Sequence, residues 1–152
     1  MKELKFRYST GEYGFLSNFS NHPVIIDGKT YPTTEHYYQS QKFEGCPYWQ
    51  NHIRGAKTPK EAALRGRNRR FPIRTDWETY KIYVMTMAIR EKIKQHKYIQ
   101  EKIVSLRDVR IIEDAYWDSF WGIGPYGKGS NMLGVIWNKE IKIFLDRLDQ
   151  NN

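Results

Sequence analysis

Cysteine occurs once in this 152-residue chain, at Cys46. A lone thiol excludes an internal disulfide and any metal site built from several thiolates, and the expected setting is the reducing cytoplasm. Long apolar runs are missing as well. Segments such as Val24-Ile25-Ile26 are far too short to cross a bilayer, and Met1 to Phe6 holds no apolar stretch of signal-peptide length. No membrane partner is expected. The histidines, His22, His36, His52 and His96, show no H-E-x-x-H or comparable spacing, and no G-x-S-x-G elbow is present. Neither metal nor cofactor is expected. Repeats, low-complexity tracts and Pro/Gly/Ser linkers are absent too, so residues 1–152 are read as one domain.

What is present is positive charge and aromatic surface. The 25 Lys and Arg outnumber the 17 Asp and Glu, giving +8. Such a surplus draws polynucleotides or phosphorylated small molecules, or simply solvates the surface. Aromatics make up 15% and hydrophobic residues 39%, enough for a packed core. The first third reads as strands and turns: Leu4 to Tyr8 alternates, and Pro23 to Asp27 meets a Gly28-Lys29 turn before Thr30-Tyr31. From Thr33 the chain reads as helical. Thr33 caps a helix to about Phe43, and Thr58-Pro59-Lys60-Glu61 combines an N-cap, a first-position proline and a capping-box glutamate. Thr75 to Glu78 has the same spacing and opens a long helix with Ile82, Met85, Ile89 and Ile93 on one stripe. A shorter helix carries Ile99, Ile103 and Leu106, Val109 to Ile112 forms a returning strand, and the last helix runs from Leu133 to Leu148. The expected class is α+β, a mainly helical domain with a small sheet.

Three segments carry chemistry. Helical spacing puts Glu35, Gln39 and Lys42 on one face beside Tyr38, which is either a working cluster or a solvated face. Asp118 to Gly134 is glycine-rich and delivers Lys128, Gly129, Ser130 and Asn131 to a helix N-terminus. Free N–H groups, the helix dipole and a lysine there suit a phosphate, although the G-x-x-x-x-G-K-[ST] pattern is not completed. Trp121 and Tyr126 in that loop either stack on a base or pack its rim. Arg65 to Arg70 offers guanidinium forks for phosphate, or complements a helix C-terminus. By default His36 is a packed or capping residue and Trp77 is core.

These segments resemble the NADAR (YbiA-like) family. The matching pieces are Gly14-Phe15-Leu16-Ser17-Asn18-Phe19, Pro32 to Phe43, Gly66-Arg67-Asn68-Arg69, Asp76-Trp77-Glu78 with its helix, and Asp118 to Gly134, in family order. The resemblance implies an α+β fold and hydrolysis of a ribose–nitrogen bond. It also implies substrates such as ribosylamino-pyrimidine phosphates of riboflavin synthesis, or ADP-ribosylated guanine in nucleic acid. Glu35 matches the family glutamate; Trp77, Asp118 and Trp121 match other typical positions. Asp114-Ala-Tyr-Trp117 duplicates the D-x-[YF]-W pattern, but only Asp118-Ser-Phe-Trp121 is followed by Gly122, so Asp118 takes the match and Asp114 is held in reserve.

An N-ribosyl bond breaks through an oxocarbenium-like transition state. On this reading Glu35 orients water and stabilises the cation while Asp118 transfers a proton. Lys128, the loop amides of Gly127 and Gly129, and Arg67 or Arg69 hold phosphate. Trp121 and Phe15 flank the base, and Asn18, Tyr38, Gln39, Lys42, Trp77 and Asn131 complete the substrate contacts. The expected partner is a phosphorylated riboside or ADP-ribosyl group, with ADP-ribosylated nucleic acid as a larger carrier. Two rivals remain: a non-hydrolytic ADP-ribose-binding module, which needs no carboxylates at C1, and a basic nucleic-acid-binding domain, which needs a basic stripe interleaved with aromatics.

Overall fold

Asp27 (φ 52°) and Gly28 (φ 76°) both adopt positive φ and turn the chain between β2 (Val24–Ile26) and β3 (Lys29–Tyr31). A two-residue turn of this hand matches the twist of antiparallel strands. The turn lies at Asp27-Gly28, not Gly28-Lys29, because Lys29 already pairs with Ile26. The computed structural model describes residues 1–152. They form two compact units, Asn18–Lys92, and Met1–Ser17 with Ile93–Asn152.

In the unit of residues 18–92 the hairpin is followed by α1 (Thr34–Gln41), α2 (Pro47–Arg54), α3 (Pro59–Gly66) and most of α4 (Trp77–Gln95). Thr33 and Thr58 cap α1 and α3 as their spacing predicts, accepting from the His36 and Glu61 amides. Glu61 reaches one residue further back than a standard capping box and accepts from the Lys57 N–H at 2.9 Å. The second threonine-to-glutamate spacing does not make a cap at Thr75. There α4 opens at Trp77, the Asp76 carbonyl accepts the first helical bonds, and the Asp76 carboxylate is drawn to Arg74 at 2.7 Å. Phe43, Ile53, Ala56 and Ala62 form a core, against which Trp49 stacks on Phe71. On α4 the buried stripe is Val84, Met85, Ala88, Ile89, Lys92 and Ile93, so Met85, Ile89 and Ile93 are buried as expected while Ile82 is exposed.

The other unit pairs β1 (Lys2–Phe6) in parallel with β4 (Val109–Glu113), from Lys2↔Val109 to Phe6↔Glu113. β1 stops at Phe6, short of the expected Tyr8, because its partner strand stops at Glu113. α5 (Lys97–Ile103) and α6 (Met132–Gln150) complete this unit. The free edge of β4 is covered by two carboxamides, one within α6 and one at its N-cap: Asn138 accepts from the Ile111 N–H and donates to the Val109 carbonyl, and Asn131 accepts from the Glu113 N–H and donates to the Ile111 carbonyl. The side chains reproduce the missing strand, so a buried edge keeps its hydrogen bonds. The class is α+β, with two small two-stranded sheets. No helix is long and apolar enough to cross a membrane.

Candidate active site

Helix α1 is buried along nearly its whole length, polar residues included. A buried helix with a polar sequence must satisfy most of those groups internally. Its start is anchored by Asn18: the Asn18 carbonyl accepts from the Glu35 N–H at 3.2 Å, and its side-chain oxygen accepts from the Thr34 hydroxyl at 2.9 Å. His36 is the packed residue its sequence context suggests. Its Nδ1 meets the Thr33 hydroxyl at 2.8 Å and its Nε2 the Ala56 carbonyl at 2.9 Å, while burial lowers its pKa.

The face read from the spacing is real. Gln39 donates from Nε2 to Glu35 Oε1 at 2.7 Å, and both residues are buried. One turn on, the Lys42 ammonium lies 5.8 Å from the centre of the Tyr38 ring. Burial pulls the Lys42 amine down to about 8; Arg69 and Arg67 push the same way, and Glu35 and Glu78 oppose them. The Tyr38 ring is packed edge-on against buried Trp77, 5.2 Å between centres. Glu35, Tyr38, Gln39, Lys42 and Trp77 therefore form one connected cluster. Arg67 is exposed at the end of α3, whereas Arg69 donates to the Gly66 carbonyl at 2.9 Å and so also serves the helix terminus. The spacing placed Lys42 on this face but gave no sign of its lowered pKa, because desolvation at a helix end leaves no periodic signal.

In the other unit, Asp118 organises the glycine-rich loop. Its Oδ1 accepts from the Phe120 and Trp121 amides at 2.9 and 2.8 Å, bending the chain so that Trp121 meets Phe120 edge-on. The expected ring of free amides is not there. Gly127 donates to Gly124, Gly129 to Ile123, Ser130 to Ser119, Asn131 to Gly122, Met132 to Phe120 and Leu133 to Trp121. The loop folds back on the start of α6 and satisfies its amides itself, so Gly127 and Gly129 shape the turn and present no free N–H to an anion. Gly129 is also sterically obligatory, since a Cβ there would lie 2.6 Å from the Gly122 carbonyl oxygen. Lys128 remains exposed, on a cleft of about 220 Å³ shared with Ser119, Tyr126 and Ser130.

Three further expected substrate contacts are engaged within the protein. Phe15 is fully packed in its unit, 5.8 Å edge-on from Trp137, and presents no face to a base. Asn131 is buried with its carboxamide committed to β4, so it is scaffold and makes no ligand contact. Asn18 likewise engages Thr34 and Met85. Asp114, the reserve carboxylate, pairs with Arg7 at 3.2 Å, each about a third exposed.

Residues 5–140 match the family model described as the NADAR domain. The N-glycosidase YbiA of Shigella boydii is 40% identical over 133 residues, covering 88% of this chain and 82% of that protein. The chloroplastic riboflavin biosynthesis protein PYRR of Zea mays is 40% identical over 138 residues, covering 82% of this chain and 22% of that protein. The NMR structure of the E. coli protein YbiA superposes with a TM-score of 0.88 at 35% identity, covering 99% of this chain and 89% of that one.

Proposed function

This chain belongs to the NADAR family and is an N-glycosidase, and from that premise we propose that it hydrolyses the ribose–nitrogen bond of phosphorylated ribosides with Glu35 as the working carboxylate. The observation that carries the assignment is the cluster at α1: a buried carboxylate fixed by a buried carboxamide, beside the half-buried Lys42 amine just past the helix end, whose pKa is lowered to about 8. Cleavage needs negative charge near C1 as the cation develops, a water that loses a proton, and a proton for the departing nitrogen. Glu35 supplies the charge and orients the water. Lys42, protonated at neutral pH yet a readier donor than an ordinary lysine, supplies a proton or holds a ribose oxygen. Asp118 keeps one oxygen on the loop amides and has the other for proton exchange.

Phosphate recognition falls to side chains, Lys128 and Arg67 foremost, because the Gly127, Gly129, Ser130 and Asn131 amides are occupied. Relatives named for riboflavin biosynthesis support a ribosylamino-pyrimidine phosphate as the substrate. ADP-ribosylated guanine, free or in nucleic acid, shares the same bond and is the competing substrate. The test is to incubate purified protein with each and weigh the products. Release of the base with uptake of one water is expected for at least one of them.

A further inference from the structure

Gly66 ends α3 with no positive φ, so its backbone asks for no glycine. What it supplies is space. An ionised carboxylate only accepts hydrogen bonds, so Gln39 must turn its NH₂ toward Glu35. Its Oε1 then faces Gly66, buried and without a hydrogen-bond partner. A Cβ on residue 66 would lie 2.0 Å from that oxygen, 2.7 Å from Gln39 Cδ and 3.1 Å from Gln39 Cβ. No small rotation relieves all three, so the carboxamide would have to leave its place and its N–H would leave Glu35. An unsatisfied buried acceptor is costly to hold, and here it is the consequence of aiming the donor at Glu35.

We propose that Gly66 and Gln39 are positioning residues that set the direction of the Glu35 carboxylate, Gly66 by leaving room and Gln39 by donating. This rests on Glu35 being the working carboxylate. It also moves Gln39 from contacting substrate to acting through Glu35.

The experiment is a double-mutant cycle with steady-state kinetics on whichever riboside the wild type cleaves. Gly66→Ala and Gln39→Ala should each lower kcat about tenfold or more, since a misplacement near 1 Å can cost roughly a hundredfold. KM should stay within about twofold. In the Gln39→Ala background, Gly66→Ala should cause no further loss. An equal loss in that background, a change confined to KM, or an unaltered kcat in Gly66→Ala overturns the proposal. Should Gly66→Ala fail to fold, Gln39→Met decides, because it keeps the length and removes the donor: a normal kcat overturns the proposal and a reduced one supports it. A wild type that cleaves no riboside would instead overturn the glycosidase reading on which this one stands.

Discussion

Asn131, at the N-cap of α6, and Asn138, seven residues on within the helix, both clamp the same strand, each donating to one β4 carbonyl and accepting from one β4 amide. Replacing either by alanine orphans a backbone donor and an acceptor, at about 1–3 kcal/mol for each group that stays buried. Asn131→Ala and Asn138→Ala should therefore lower Tm by several degrees, since each kcal/mol shifts a domain of this size by roughly 2–4 °C. KM of the folded protein should hardly change. An Asn131→Ala protein with a normal melting curve and a raised KM would return Asn131 to the substrate site.

Asp118 and Asp114 separate cleanly by substitution. Asp118→Asn keeps an acceptor oxygen for the Phe120 and Trp121 amides, so the loop should hold while the charge is lost. Turnover should fall by about a hundredfold if that charge works in proton transfer. Asp114→Asn weakens a pair with Arg7 that is about a third exposed and screened by solvent, and should be mild. Retained activity in Asp118→Asn, with loss only in Asp118→Ala, would make Asp118 a brace for the loop and nothing more.

Lys42 gives a pH signature with a definite sign. Folded, its amine titrates at about 8 against an ordinary 10.5. Between those values the unfolded chain binds more protons than the folded one, so stability rises with pH across that window. Below about 8 the cost of a half-buried ammonium is felt in full. Lys42→Met should melt higher than wild type at pH 7, and the advantage should vanish above pH 10.5. Its activity should be lost. If the protonated amine is the working form, wild-type kcat/KM should decline above about pH 8, and Lys42→Arg should lack that decline. An identical alkaline limb in Lys42→Arg would take Lys42 out of the titration.

Anion recognition by side chains alone predicts that Lys128→Ala and Arg67→Ala raise KM more than they lower kcat. A riboside stripped of phosphate should react poorly with wild type and no worse with either variant. Equal losses on both substrates would mean that these residues support structure.

Much of this was legible from residue types. The capping threonines, the helices they start and the shared face of Glu35, Gln39 and Lys42 follow from spacing, because they are local. Helix α2 was not anticipated: Pro47 opens it, but of its eight residues only Ile53 is buried, too few for a period to show. The glycine loop misled for a related reason. Gly127, Gly129 and Lys128 at a helix start look like an anion nest, yet whether the amides of that stretch are free depends on carbonyls up to twelve residues back, such as that of Phe120, which accepts from Met132. The role of Asn131 was hidden in the same way, since the Ile111 and Glu113 backbone it serves lies about twenty residues earlier. Gly66 stood in the sequence as part of a basic cluster at a helix end, and only the position of the Gln39 carboxamide shows that it is a vacancy kept for a neighbour.

Glu35→Gln, compared with wild type on a ribosylamino-pyrimidine phosphate and on ADP-ribosylated guanine, tests the central claim most directly. Product masses and kcat should be measured for both. Wild type should release the base from at least one substrate with uptake of a single water. Glu35→Gln should melt within a few degrees of wild type, keep KM, and lose at least about a hundredfold in kcat. A folded Glu35→Gln protein with near-normal turnover would remove Glu35 from the chemistry. A wild type that binds these ligands without cleaving them would leave a binding module in place of the hydrolase.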